Sequence, residues 1–409
     1  MNTGLATTRQ FVLILGLLSG FAALAVDMSL PAIPTMAGDF DIGLSTGQQI
    51  VGVFIIGIAL GQIPAGLISD RVGRLPILYG GLVIFTLAAT ICAVATTIEL
   101  MLIARFIQGL AASTCVVVPR AIVRDIASGE EAARLLSAIV IAFTVIPMVA
   151  PVFGSYAVTL WGWRSPFIVM AVIGVLLLVG SKAKLSETHR PTREHHPIRQ
   201  LTLSVGVFFQ HGQCILGMLL MMFASAGFMS MIAGSSTLII DLYAYPVTWF
   251  GFIYALNGLS LLCGSLINRR LLKRFDVLAM TGVAAGLIGM AAVQMLLIFW
   301  SGPVSFPWFW GGVCLYMFGI GFLLPNATAI VLDPVPGIAG IASSIVGTMQ
   351  GISAAAGAIV GAFLYDGSAD NIALIMGSCG IATACVFLLR RPLLRREPAQ
   401  LPADASSGI

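Results

Sequence analysis

Two charged side chains stand alone inside long apolar stretches, and their types could move a proton. Asp27 is the only acidic residue well inside such a stretch, and Arg105 is the one arginine embedded in one. Burial favours the neutral form of a carboxylate, whereas a nearby arginine favours its charged form. A carboxylate balanced between these effects could take up and release a proton. The rest of the chain must therefore hold both side chains in an apolar setting.

The composition provides that setting. Of the 409 residues, 58% are hydrophobic and only 9% are charged, and the mean hydropathy is +1.01, which excludes a soluble domain. A helix that crosses a bilayer needs about 20 apolar residues, and the chain has twelve continuous apolar stretches of about this length. We therefore predict an all-α polytopic membrane protein with twelve transmembrane helices. A β-barrel would show short alternating segments instead.

A central polar stretch divides the predicted helices six and six. The predicted units are an N-terminal half (1–182), a cytoplasmic linker (183–208), a C-terminal half (209–389) and a cytoplasmic tail (390–409). Two pseudo-symmetric six-helix halves with a site between them are a known transporter architecture.

A sequence echo supports this division. Gly66-x-x-x-Asp70-Arg71 is repeated more weakly as Gly264-x-x-x-Asn268-Arg269, and each is expected in the loop after the second helix of its half.

The distribution of cationic residues predicts the orientation. All of the 21 Lys and Arg residues except Arg105 and Arg164 fall in segments on one side of the predicted helices, and that side is the cytoplasm by the positive-inside rule. Both termini are then cytoplasmic. The run from Arg9 to Ala25 imitates a cleavable signal peptide, but it continues to Pro34, and this favours a first membrane helix over residues 11–33.

Four motifs carry the functional prediction. They are the segment Gly66 to Arg74, with its Asp70, Arg71 and Gly73; Arg105-x-x-Gln108-Gly109; Asp27-x-x-x-Pro31-x-x-Pro34; and Ala150-Pro151-Val152-Phe153-Gly154-Ser155. In these motifs the chain resembles the major facilitator superfamily, and more narrowly its bicyclomycin/chloramphenicol-resistance branch of drug/proton antiporters. The resemblance covers residues 10 to 390.

The resemblance implies a role for each motif. Gly66, Asp70, Arg71, Gly73 and Arg74 would form a cytoplasmic gate, in which Asp70 meets an arginine or the N-terminus of a neighbouring helix. The two glycines would allow close approach of the backbone. The segment departs from the family at Leu75, where relatives often have a basic residue. A generic positive-inside turn is the alternative.

Asp27 and Arg105 would couple transport to protons. The alternatives are that Asp27 caps the outer end of the first helix and that Arg105 snorkels to the outer interface beside Glu99. Some relatives carry a second carboxylate where this chain has Ser19, which leaves the proton stoichiometry open.

Pro151 and Gly154 would form the bend and the packing contact of an antiporter motif. Ala150 and Ser155 replace two of the family's glycines, so this likeness is weaker.

Polar and adaptable apolar residues inside the predicted spans are candidates for a substrate cavity. The candidates are Gln49, Gln108, Met148, Phe223, Phe228, Tyr254, Asn257, Asn326 and Gln350, together with Gln48, Gln62 and Gln213. For each residue alone, helix packing is the alternative. His189, His195 and His196 lie in the linker without acidic or Cys ligands, so no metal site is expected.

The expected function is proton-coupled efflux of small amphipathic drugs, such as phenicols or bicyclomycin, or of toxic metabolites across the bacterial inner membrane. No phosphate-binding loop is present, so we expect no cofactor and the proton gradient as energy source. The expected partners are the small-molecule substrate, protons and the bilayer; no nucleic acid is expected, and the protein should be a monomer. A metabolite exporter, an uptake symporter or a membrane sensor are the alternatives, and an enzyme is not expected.

Overall fold

The computed structural model describes residues 9–127, 129–188, 197–302 and 304–394, and all their side chains except those of 9, 129–134, 136–144 and 197–202. Within these ranges the chain is helical and contains no strand. Twelve long helices follow one another: α1 (Arg9–Asp27), α2 (Leu44–Val72), α3 (Arg74–Val94), α4 (Ile98–Ile126), α5 (Gly129–Trp161), α6 (Ser165–Lys184), α7 (Gly212–Ser236), α8 (Val247–Leu271), α9 (Val277–Ser301), α10 (Phe306–Leu332), α11 (Ala339–Phe363) and α12 (Asp370–Leu388).

The helices have the dimensions that the composition predicts for a membrane protein. In the described part of the chain, eleven are long and apolar enough to cross a bilayer. The twelfth, α5, has 33 residues, and its section with described side chains, Val145–Trp161, is apolar. The predicted all-α architecture with twelve membrane helices is therefore confirmed.

The helices pack as two groups of six. In the first group α4 packs against α2 and α3, α5 against α1, and α6 against α3. In the second group α10 packs against α8 and α9, while α11 and α12 pack against α7. The groups meet mainly where α2 lies on α11 and where α5 lies on α8. A site between the two halves is therefore bounded by these two seams.

Both halves use the same glycine contact to bring two helices together. Between α2 and α4, a β-carbon at Gly57 would collide with the Phe106 carbonyl, and one at Gly109 with the Phe54 carbonyl. Between α8 and α10, Gly264 lies on the Phe318 carbonyl and Gly321 on the Leu261 carbonyl in the same reciprocal way. Backbones approach this closely only where side chains are absent.

This contact corrects the prediction for Gly264. Gly264 and Asn268 lie inside α8 rather than in the loop after it, and Gly264 has the packing role of Gly57. The sequence echo had instead aligned Gly264 with Gly66.

The first membrane helix is broken, which the predicted span 11–33 did not anticipate. α1 ends at Asp27, a 3₁₀ turn occupies Leu30–Ala32, and a short helix runs over Ile33–Asp39. Pro31 has no N–H to give to the carbonyl of residue 27, and Pro34 has none for residue 30. The last α-helical hydrogen bond of α1 runs from the Met28 N–H to the Leu24 carbonyl, so the regular helix ends next to the isolated carboxylate.

The two ends of the bundle differ in charge. The end with the α2–α3 and α8–α9 turns carries Arg71, Arg269 and Arg270, and we call it the basic end. The opposite end carries Asp39, Glu99, Asp366 and Asp370, and we call it the acidic end.

The predicted linker 183–208 contains most of a helix, Pro197–Gln210. Its Phe208 belongs to a hydrophobic cluster with Val331 of α10 and Ile345 of α11. This stretch of chain therefore packs onto the basic end of the C-terminal half.

Candidate functional site

Asp27 lies at the break in α1 and is held from the other half of the molecule. Its side chain is buried, with 4% of the residue exposed. The hydroxyl of Tyr254, on α8, donates a hydrogen bond to Asp27 Oδ1 at 2.9 Å. Among the acidic residues whose side chains are described, Asp27 is the only buried one. A hydrogen bond to a charged carboxylate is stronger than one between two neutral groups. This contact therefore joins the two halves at the candidate proton site.

Arg105 is fully buried, and this contradicts the alternative in which it snorkels to the interface. Its guanidinium donates to Gln108 Oε1 at 2.9 Å and, over longer distances, to the Ala25 carbonyl at 3.4 Å and to Ser29 Oγ at 3.3 Å. The same group lies over the ring of Phe54, 4.2 Å from the centroid.

The break in α1 explains why Arg105 is tolerated in the interior. The Met28 N–H bonds to Leu24 and the Ser29 N–H bonds to Val26, so the Ala25 carbonyl between them accepts from Arg105 instead. The carbonyl end of a helix carries partial negative charge, which suits a guanidinium. No ion pair joins Arg105 to a carboxylate in the described part of the chain. Arg105 therefore acts on the backbone two residues before Asp27 and on the side chain two residues after it.

The predicted antiporter motif lies where three helices cross. A β-carbon at Gly154 of α5 would collide with the Met28 carbonyl, directly after Asp27. On its other side, α5 touches α8, where a β-carbon at Gly251 would collide with the backbone of Pro151 and Val152. The motif thus connects the break in α1 with the helix that carries Tyr254.

At the basic end, Arg74 is the centre of a charged cluster. Its Nε and Nη2 atoms donate to the two carboxylate oxygens of Asp125, at 2.8 and 3.2 Å, and Nη1 donates to Ser69 Oγ at 2.9 Å. The same nitrogen also pairs with the carboxylate of Asp70. Glu187 accepts the N–H groups of Arg74 and Leu75, both at 2.9 Å, and so caps the start of α3.

This cluster corrects the predicted turn. Residues 66–72 are the last two turns of α2, and Gly73 alone links α2 to α3, with φ +112°. Only glycine adopts that φ without strain. A β-carbon at Gly66 would meet only Val117 at 3.7 Å, so its predicted close backbone contact is wrong. Asp70 pairs with an arginine, Arg74, as predicted. The N-terminus of α3 is capped by Glu187 instead. Arg71 is exposed.

Contacts between the halves extend beyond Asp27 and Tyr254 toward both ends. Toward the acidic end, Gln48 Nε2 of α2 donates to Thr237 Oγ1 at 2.7 Å. Toward the basic end, Gln62 Nε2 donates to the Gly347 carbonyl at 3.5 Å. Still nearer that end, the Arg124 guanidinium lies against Gly340 at the start of α11. Since Arg124 adjoins Asp125, the Arg74 cluster holds the end of α4 that touches the other half.

The substrate candidates fall into three groups. Tyr254 and Asn257 lie on α8 near Asp27; Asn257 is buried, and its Nδ2 has no partner among the described residues. Met148 packs against Gly258 at the α5–α8 seam. The third group has other contacts. Asn326 pairs with Asn268, Gln350 bonds to Ser225, and Gln108 bonds to Arg105 beside the break in α1. Gln49 and Phe228 are half-buried, and Phe223 is exposed.

Several partners could not be found from the sequence. Asp125, Glu187 and Ser29 are polar residues in the last turn of a helix or just beyond it, and only the fold brings them to Arg74 and Arg105. Gln48 was one of several glutamines, and its contact with Thr237 depends on packing between the halves. No group of three or more potential metal ligands occurs among the described residues; His189, His195 and His196 lie outside them.

Comparison with known proteins agrees with this arrangement. A protein-family model described as Major Facilitator Superfamily matches residues 15–358. The bicyclomycin resistance protein homolog of Haemophilus influenzae is 27% identical over 95% of this chain and 98% of its own length. The multidrug resistance protein MdtL of Shewanella oneidensis is 30% identical over 93% and 96% of the two chains. The multidrug resistance protein D of Escherichia coli is 26% identical over 96% and 97%.

A solved structure shows the same fold. The crystal structure of a D-xylose–proton symporter covers 95% of this chain and 99% of its own, with a TM-score of 0.75 at 13% identity. The match of the family model over most of the chain decides the assignment: this protein belongs to the Major Facilitator Superfamily.

Proposed function

We propose that this protein exports small amphipathic drugs or toxic metabolites across the bacterial inner membrane in exchange for protons. The observation that carries the proposal is the buried carboxylate of Asp27, placed at a helix break and bonded to the opposite half by Tyr254. Discontinuous membrane helices form the ion and substrate sites of many transporters. The names of the relatives, which concern bicyclomycin and multidrug resistance, support drugs as cargo.

The exchange follows from competition for one hydrogen bond. The charged Asp27 accepts the Tyr254 hydroxyl and holds α1 against α8. A proton on Asp27 weakens that bond, and a polar group of the cargo that donates to the carboxylate displaces the Tyr254 hydroxyl in the same way. Because proton and cargo compete for the same carboxylate, they exclude each other, and one leaves as the other binds. Asp27 is the one buried carboxylate among the described side chains, and this supports one proton in each cycle.

Arg105 and the Arg74 cluster have supporting roles in this proposal. Arg105 positions the residues on both sides of Asp27. Gly66, Asp70, Arg71, Gly73 and Arg74 belong to the gate, in which Arg74 fixes Asp125 and thereby the contact of Arg124 with Gly340. At Pro151 and Gly154, α5 contacts both α8 and the break in α1, so a movement of α8 displaces the break.

The orientation, the unit boundaries, the oligomeric state and the energy source are kept in the proposal as the sequence predicts them. The basic end faces the cytoplasm, the boundaries of the units are those predicted above, and the protein acts as a monomer. The proton gradient supplies the energy, without a cofactor.

Uptake by proton symport is the second candidate, and the direction of proton movement separates the two. The test uses everted membrane vesicles with a lumenal pH dye and a panel of drugs, with and without an uncoupler. An exchanger makes the acid lumen more alkaline when a transported drug is added, and the uncoupler abolishes accumulation. Acidification of the lumen would indicate symport, and accumulation that resists the uncoupler would contradict proton coupling.

A further inference from the structure

An apolar groove lies between α1, α5 and α6, away from the contacts between the halves. Its volume is about 270 Å³, and all nine residues that line it are apolar. Two leucines on its rim, Leu17 and Leu176, are 42% and 64% exposed. The groove therefore opens sideways, onto the surface that the bilayer covers.

Gly180 keeps one part of the groove empty. Its φ is not positive, and a β-carbon there would meet only the Ile14 Cδ1 atom at 3.8 Å. Neither the backbone nor helix packing therefore requires glycine. A larger side chain at this position would fit the fold but would fill the groove.

A lysine continues the groove toward the basic end. Residues three or four apart lie on one face of a helix, so Ile173, Leu177, Gly180 and Lys184 form one stripe along α6. The first three line the groove, and Lys184 is exposed at the end of the helix.

The length of this stripe matches the depth of one membrane leaflet. From Ile173 to Lys184 the helix rises about 16 Å at 1.5 Å per residue. Half of a hydrocarbon core is roughly 15 Å thick. A lipid whose phosphate lies at Lys184 would therefore have its chain alongside the whole groove.

We propose that this groove holds one acyl chain of an anionic phospholipid, whose phosphate lies beside Lys184 in the leaflet at the basic end. The apolar lining suits the chain, and the ammonium group of Lys184 suits the phosphate. The deep end of the groove includes Leu24, three residues before Asp27. The lipid thus lies against the section of α1 that leads to the break.

The test is native mass spectrometry of the full-length protein released from nanodiscs with equal amounts of phosphatidylglycerol and phosphatidylethanolamine. The wild type should carry one tightly held phosphatidylglycerol. Gly180→Leu should remove it, and Lys184→Gln should lower its occupancy about fivefold. Gly286→Leu and Lys273→Gln are matched controls at exposed positions and should retain it.

Three results would overturn the proposal. The first is retention of the lipid in Gly180→Leu, the second is an unchanged occupancy in Lys184→Gln, and the third is equal binding of both lipids to the wild type. Displacement of the lipid by an added amphipathic drug, from the wild type and from both control variants, would make the groove a drug site instead. Should Gly180→Leu fail to fold, Lys184→Gln still decides, because it changes an exposed side chain.

Discussion

Removing the Tyr254 hydroxyl should change the balance between conformations of this transporter. Tyr254→Phe deletes the donor to Asp27 and keeps the ring. A hydrogen bond to a charged group contributes about 1.5–3 kcal/mol, and each 1.4 kcal/mol is about a factor of ten. Conformations with α1 and α8 apart should therefore gain about 10- to 140-fold in population relative to those with the contact.

The assay is electron spin resonance distance measurement across the acidic end. Labels at Leu160 of α5 and at Leu364, directly after α11, are both exposed. They report the separation of the halves once the exposed Cys263 and Cys385 are replaced by serine. Tyr316→Phe is the control, because Tyr316 is also buried but donates to the Ala224 carbonyl within its own half, at 3.2 Å. Equal populations in Tyr254→Phe and wild type, or an equal shift in the control, would refute the reasoning.

Other predictions concern the groups around this contact. Arg105→Lys keeps the charge but loses the planar guanidinium with its several N–H donors. The rate of drug export should fall at least about tenfold, because the loss of one charge-assisted hydrogen bond corresponds to about this factor. Export at the wild-type rate would contradict the positioning role of Arg105. Glu187→Gln weakens the cap of α3 and should lower the free energy of unfolding by about 0.5–2 kcal/mol, measured by denaturant titration in detergent; an unchanged free energy of unfolding would contradict the cap. Gly251→Leu wedges α8 from α5 and should stop export in a folded protein, whereas Gly286→Leu should export normally; export by both variants would show that the α5–α8 seam does not need glycine.

The sequence predicted the fold because its signals are local. Apolar length determines a membrane helix, and the cationic residues group at one end because of membrane insertion. Asp27 and Arg105 were also recognisable, since an ionisable residue inside a membrane helix is rare without a role.

What the sequence did not predict depends on packing between distant segments. Tyr254 was predicted as a substrate-binding candidate, but its hydrogen bond to Asp27 requires α8 to cross α5 at Gly251. Pro31 predicted the end of the first helix, but not that the Ala25 carbonyl would accept hydrogen bonds from Arg105. Glu187 reaches the start of α3 only because the chain folds back after α6, and no spacing rule in the sequence contains that contact.

The central claim is that Asp27 carries the exchanged proton, and its most direct test is Asp27→Asn in proteoliposomes. With an imposed pH gradient, the variant should lose uphill drug transport and drug-induced proton movement while retaining drug–drug exchange in the absence of a gradient. Glu99→Gln, at the acidic end, is the control and should retain all three activities. Full proton-driven transport by Asp27→Asn would contradict the account.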